Sequence, residues 1–285
     1  MSGAHLSPEE VERGYNNRAA VPAHPYWFEQ FAVRSKSAVD ALRPVQDIRY
    51  GPGPNETLDL FVPEQPARGT LMFIHGGYWR ALDKDDHSFV APAFVEEGIG
   101  VAVINYDLCP NVSIAHIVEE CRQAVAWLWR EGESHGMPVD RLFIAGHSAG
   151  GHLVAMLYAT DWRRYGVPVD AICGGLSISG VFDLEPLLQV SFNADLKLDS
   201  GKARAMSPIH CAAEVRAPLL LAVGGGETSE FSRQSWLLWE RWPECRPAAA
   251  HSPLFIAGRH HYSVMSELGD RNSELTGAAL KMLLA

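Results

Sequence analysis

Nowhere does this chain gather positive charge. Its 34 acidic residues outnumber 24 lysines and arginines, for a formal net charge of −10, and no basic run breaks that balance. Nucleic acid and anionic membrane surfaces both demand clustered cations, so neither is expected as a partner. Long apolar runs are missing as well. None reaches the roughly 20 residues of a membrane-spanning helix. The opening Met1-Ser2-Gly3-Ala4-His5-Leu6-Ser7 lacks the charged-then-apolar layout of a secretion signal. Cysteine is scarce and unpaired in pattern: Cys109, Cys121, Cys173, Cys211 and Cys245 are odd in number and form no C-x-x-C. Reduced, buried thiols and a cytoplasmic setting are therefore expected. Histidines and acids form no H-E-x-x-H or similar tight array, so no metal and no cofactor is expected. Internal repeats and low-complexity segments are absent too.

What is present is ordered alternation. With 285 residues, 47% of them hydrophobic, the chain can bury one sizeable core, and a single domain over 1–285 is expected. Ser7-Pro8-Glu9-Glu10 is a capping-box start. A short helix through Asn17 and a second near 25–41 complete an N-terminal helical segment over about 7–41. Apolar runs predict strands at 45–50, 57–62, 70–74, 100–105, 141–145, 171–177, 218–223 and 254–257, the first two as an antiparallel hairpin. Helices are predicted at 85–97, 113–131, 151–160, 231–242 and 275–284. This alternation implies an α/β fold with a mostly parallel central sheet flanked by helices. It breaks over about 180–210, with a short helix near 181–188 and an irregular one near 191–205. Such an insertion after a strand lies above the active site of an open α/β sheet, as a small cap or pocket wall.

The sharpest local signal is Gly146-His147-Ser148-Ala149-Gly150, directly after an apolar run and before helix-forming residues. Serine between glycines on a strand-to-helix turn is the nucleophile-elbow pattern, with the serine strained and its hydroxyl exposed above the sheet. His75-Gly76-Gly77-Tyr78-Trp79 ends another strand. There a bent backbone offers an N–H to the negative charge that acyl transfer builds on oxygen, and the N–H of Ala149 supplies the second donor.

A serine nucleophile needs a base, and the base an orienting carboxylate, both later in the chain for this order of elements. The loop Gly224-Gly225-Gly226-Glu227 follows a late strand and frees Glu227 to aim inward. Glu230 is its rival, at a position where a helix start accepts an acid anyway. His260 and His261 follow the last strand, and their adjacency leaves the base open between them. His75, His147 and His152 also fall near the site, the last two as elbow and helix residues.

These motifs resemble the α/β-hydrolases of the hormone-sensitive-lipase-like esterase branch, and more narrowly the bacterial kynurenine formamidase (arylformamidase) group. The likeness is carried by His75-Gly76-Gly77-Tyr78-Trp79 and Gly146-His147-Ser148-Ala149-Gly150-Gly151-His152. Asn105-Tyr106-Asp107-Leu108-Cys109-Pro110 and Tyr15-Asn16-Asn17-Arg18 carry it more loosely. The resemblance implies nucleophile Ser148, base His261 and acid Glu227, where many members carry aspartate. It implies oxyanion donors at Gly77, Tyr78 and Ala149, and an aromatic wall of Tyr78 and Trp79 with Phe182, Phe192 and Tyr262. The activity it implies is hydrolysis of N-formyl-L-kynurenine through an acyl-enzyme. A carboxylesterase or amidase for another small acyl substrate is the alternative, since fold and triad do not set substrate. A non-catalytic binding protein on the same fold is the third reading. Oligomeric state is not readable, and a homodimer stays open.

Overall fold

The computed structural model describes residues 7–284. Residues 1–6, which carry the expectation about a secretion signal, lie outside the described residues. Eight strands form one sheet: β1 (Val45–Arg49), β2 (Thr57–Phe61), β3 (Thr70–Ile74), β4 (Gly100–Ile104), β5 (Leu142–His147), β6 (Ile172–Ile178), β7 (Leu219–Gly224) and β8 (Leu254–Ile256). Their order is β1-β2-β4-β3-β5-β6-β7-β8. β1 and β2 pair antiparallel, as expected for the hairpin, and β2 runs antiparallel to β4; every later pairing is parallel. Every residue of β2 to β5 is buried, which is why these strands read as unbroken apolar runs rather than alternating ones. Side chains still alternate between faces. From β3, Met72 and Ile74 enter one core while Leu71 and Phe73 enter the other.

The helices are α1 (Pro8–Tyr15), α2 (Asn17–Ala20), α3 (His24–Leu42), α4 (Ala91–Val95), α5 (Ile114–Glu131), α6 (Ala149–Tyr158), α7 (Asn193–Leu196), α8 (Ser200–Ala205), α9 (Ser229–Arg241), α10 (His261–Glu267) and α11 (Glu274–Leu283). Ile117, Cys121, Val125, Leu153 and Leu157 of α5 and α6 fill the core on one face of the sheet. Phe31 of α3, Leu268 after α10 and Leu275 of α11 fill the other. The capping box at Ser7 forms, with Glu10 accepting from the Ser7 N–H at 2.7 Å. Among the described residues all five cysteines are free, and no helix is long and apolar enough to cross a membrane.

Two stretches depart from expectation. Residues 85–97 are not one helix but two 3-10 turns, Lys84–Asp86 and Ser88–Val90, followed by the short α4. Lys84 is drawn inward by Asp59 at 3.0 Å and Asp47 at 2.9 Å, and Pro92, having no N–H, restarts the helix rather than continuing it. Between 180 and 210 the chain makes a 3-10 turn at Glu185–Gln189, then α7 and α8. The left-handed Lys197 (φ 53°) ends α7, and the Asp199 side chain caps α8. Helix α10, which begins at the second of the two adjacent histidines, was not anticipated.

Candidate active site

β3 and β5 pair in register, Ile74 beside Gly146, so the two loops leaving their C-terminal ends emerge side by side. At the end of β5, Ser148 sits at φ 56°, ψ −115°, a conformation that L-residues rarely adopt. The flanking glycines are required by contact. A Cβ on Gly146 would lie 2.4 Å from the Gly150 carbonyl oxygen, and one on Gly150 would lie 2.1 Å from the Ile74 carbonyl oxygen. Helix α6 therefore leaves the elbow directly over β3. The serine is strained, as expected, but not exposed. It is 2% accessible, because the loops around it build a cleft with Ser148 on its lining.

The loop after β3 approaches from the other side. Gly77, Tyr78 and Trp79 have φ of 101°, 50° and 57°, three successive left-handed residues that fold the chain back on itself. A Cβ on Gly77 would stand 2.1 Å from the Ala81 oxygen, and one on Gly76 would stand 3.2 Å from the Ser148 Cβ. The N–H groups of Gly77, Tyr78 and Ala149 donate to no protein acceptor among the described residues. The loop is anchored by His75, whose ring bonds the Gly76 carbonyl at 2.8 Å and Asn105 at 3.0 Å and stacks on Tyr106 at 4.1 Å. Burial lowers the His75 pKa to about 4, so this ring is neutral near neutral pH.

His261 and Glu227 meet: Nδ1 lies 2.7 Å from Oε2. The other carboxylate oxygen accepts from the Ser179 hydroxyl at 2.5 Å and from the Gly224 N–H at 2.8 Å. The Glu227 side chain has no solvent exposure. Glu230 turns away, accepting from the Tyr15 hydroxyl and from Arg233, both at 2.9 Å. The adjacent histidines separate just as cleanly. His260 caps α10, its Nδ1 accepting from the N–H groups of Tyr262 and Ser263 at 3.2 Å, while the His261 ring packs against Phe231 and His147. His147 bonds the His261 carbonyl at 2.9 Å, and burial holds its pKa well down. His152 bonds the Met206 carbonyl at 2.7 Å. Asp107, His116 and Glu120 bring three ligand-type atoms within 4.8 Å of one another, and none of the three lines the cleft.

The cleft is open to solvent, and both Ser148 and His261 line it. Of the aromatic residues named from the sequence, Tyr78, Phe192 and Tyr262 line it too. Tyr78 and Phe192 are paired at 4.4 Å, and Phe28 joins Tyr262 at 5.2 Å. Trp79 and Phe182 do not. Both are fully buried in the core, Trp79 edge-on to His152 at 4.9 Å. A further part of the wall is the chain around the start of α2, Tyr15 to Arg18. Its sequence stood out, but its place over the site depends on contacts more than 200 residues away, which no local pattern encodes.

The BD-FAE family matches residues 58–172, which span β2 to the start of β6. Kynurenine formamidase of Danio rerio is 30% identical over 98% of this chain and 97% of its own length. A solved structure from Silicibacter sp. TM1040, provisionally described as a thioesterase, superposes with a TM-score of 0.82. It is 33% identical and covers 94% of this chain and 98% of that one. A thermostable carboxylesterase cloned from a metagenomic library superposes with a TM-score of 0.67 at 18% identity, over 98% of this chain and 95% of its own, a likeness of fold alone.

Proposed function

The chain belongs to the kynurenine formamidase family of α/β-hydrolases, and on that premise we propose that it hydrolyses N-formyl-L-kynurenine to L-kynurenine and formate through Ser148, His261 and Glu227. The observation that carries the reading is one cleft holding three things. They are a serine on a strained elbow, an imidazole fixed by a buried carboxylate, and three N–H groups with no protein acceptor. In this reading His261 takes the Ser148 proton as the hydroxyl attacks the formyl carbon, and Glu227 stabilises the imidazolium that forms. The N–H groups of Gly77, Tyr78 and Ala149 hold the oxyanion, each donor worth about 2.7–4 kcal/mol in the transition state. The protonated imidazole then gives its proton to the departing aryl nitrogen, and water releases formate from the serine.

Two pairs of aromatic rings on the cleft wall favour an aryl leaving group, and a formyl group asks for almost no acyl pocket. The segment over about 180–210 takes part as a cap, through Phe192. A thioester or ester substrate is the second reading, favoured by the description of the Silicibacter relative. A spectrophotometric comparison of N-formylkynurenine with short p-nitrophenyl esters and thioesters separates the two. Turnover of the esters with no turnover of the formamide would defeat the formamidase reading and leave the esterase one.

A further inference from the structure

The cleft has a charge character opposite to that of the chain. Acids outnumber bases by 34 to 24 overall, yet no aspartate or glutamate is among the residues lining the cleft, while Arg18 and Arg80 both are. Arg80 is already engaged, by Asp195 at 2.5 Å. Arg18 has no carboxylate partner among the described residues; its guanidinium lies 5.8 Å from the centre of the Phe28 ring, and its side chain is exposed at the cleft. Next to it, Asn17 is only 4% exposed, lines the same cleft, and has no hydrogen-bond partner for its Nδ2 among the described residues. A buried amide donor left unmade costs free energy of folding, and native proteins rarely leave one without a reason.

We infer that Asn17 and Arg18 form an anion subsite that takes the carboxylate of the substrate. A ligand carboxylate seated there satisfies the Asn17 donor and the Arg18 charge together, in charge-assisted bonds stronger than neutral ones. No carboxylate of the cleft is present to pair with an ammonium, so the site reads the acid end of an amino-acid substituent and is indifferent to its amine. The substrate class narrows to aryl amides or esters whose leaving group carries a carboxylate remote from the scissile bond. The inference rests on the cleft being the hydrolytic site, and it specifies what that site selects.

Its test separates binding from formamidase turnover. Hydrolysis of p-nitrophenyl acetate is followed while L-kynurenine or kynuramine, which lacks only the carboxylate, competes for the cleft. The acid is expected to inhibit about ten- to a hundredfold more tightly than the amine. Arg18→Gln should collapse that ratio toward one, Arg18→Lys should retain part of it, and Asn17→Asp, which sets a like charge against the ligand, should reverse it. The ratio of kcat/KM for N-formylkynurenine over its decarboxylated analogue should fall in parallel. Equal inhibition by acid and amine in the unaltered protein, or an unchanged ratio in Arg18→Gln, overturns the anion subsite. If neither formamide is hydrolysed while the acid still outcompetes the amine, the subsite stands and the formamidase reading falls.

Discussion

The hydroxyl of Tyr78 donates to the backbone carbonyl of Tyr15 at 2.6 Å, tying the loop that carries the candidate oxyanion donors to the helical segment that roofs the cleft. Tyr15 in turn bonds Glu230 and Gln234 of α9. The roof, the loop and helix α9 are thus one hydrogen-bonded unit. Tyr78→Phe removes the first link and leaves a carbonyl short of a donor, a loss of about 1–2 kcal/mol. The expected outcome is a several-fold fall in kcat with earlier cleavage of residues 7–20 in limited proteolysis. An unchanged cleavage pattern would show that the roof is held without this bond.

Ser148 supplies a prediction in which activity and stability move in opposite directions. Ser148→Ala should abolish hydrolysis, and an organophosphate should label Ser148 alone. Ser148→Gly should be equally inactive but more stable by about 1 kcal/mol, because glycine accepts φ 56°, ψ −115° without the strain that serine carries. Thermal denaturation of both variants beside the parent measures this. A glycine variant less stable than the alanine one contradicts it.

Glu227 and Glu230 should separate by kind of effect. Glu227→Gln is expected to lower kcat by up to ~10⁴, since the amide can offer the His261 Nδ1 a donor where it needs an acceptor. Glu230→Gln is expected to leave kcat within a few-fold and to cost about 1 kcal/mol of stability through Tyr15 and Arg233. Steady-state kinetics with parallel denaturation curves decide the matter. A large kcat loss in Glu230→Gln would transfer the role to that residue.

The aromatic residues divide in the same way. Phe192→Ala, at the cleft wall, should raise KM for the aryl formamide roughly five- to a hundredfold and spare p-nitrophenyl acetate. Trp79→Ala, in the core, should cost about 3–5 kcal/mol of stability without substrate selectivity. Should Trp79→Ala fold normally and discriminate between substrates, the core position would be the wrong account of that side chain.

Acidification should weaken the fold before it titrates any exposed carboxylate. Burial lowers His75, His87 and His152 each to about 4, against an ordinary value of 6.5. Between those pH values the unfolded chain binds protons that the folded one refuses, so stability falls as pH drops. From pH 7 to 5.5 each such imidazole removes about 1 kcal/mol, and together they should lower Tm by several degrees. A flat Tm over that interval would mean that these rings reach water.

The parts of this molecule that were legible in the sequence are those whose physics is local or strictly periodic. The runs at 70–74 and 141–147 are apolar without interruption because both faces of β3 and β5 are covered. The glycines at 146 and 150 are there because backbone passes within van der Waals reach. The elbow and the Gly77 turn could be read for the same reason. Hidden from it was whatever depends on where a distant segment lands. The stretch 85–97 reads as one helix, and nothing local tells that Lys84, just before it, is pulled inward by Asp59 and Asp47. Trp79 reads as pocket wall until its burial edge-on to His152 is known. Ser179, which donates to Glu227 from the end of β6 at φ 51°, carries no sequence mark at all.

The long-range docking of the roof has a consequence for how the protein comes into being. Residues 12–15 leave the ribosome well before their partners Ser191, Thr228, Glu230 and Gln234 exist. Until those are synthesised, α1 has nothing to dock on, and a chain stalled in its first two thirds holds an elbow with no ceiling. Such a nascent chain exposes the aromatic floor of the cleft, the kind of surface that chaperones engage. The cleft is therefore completed in one late step, when the earliest helix docks on α9 and the segment around Ser191.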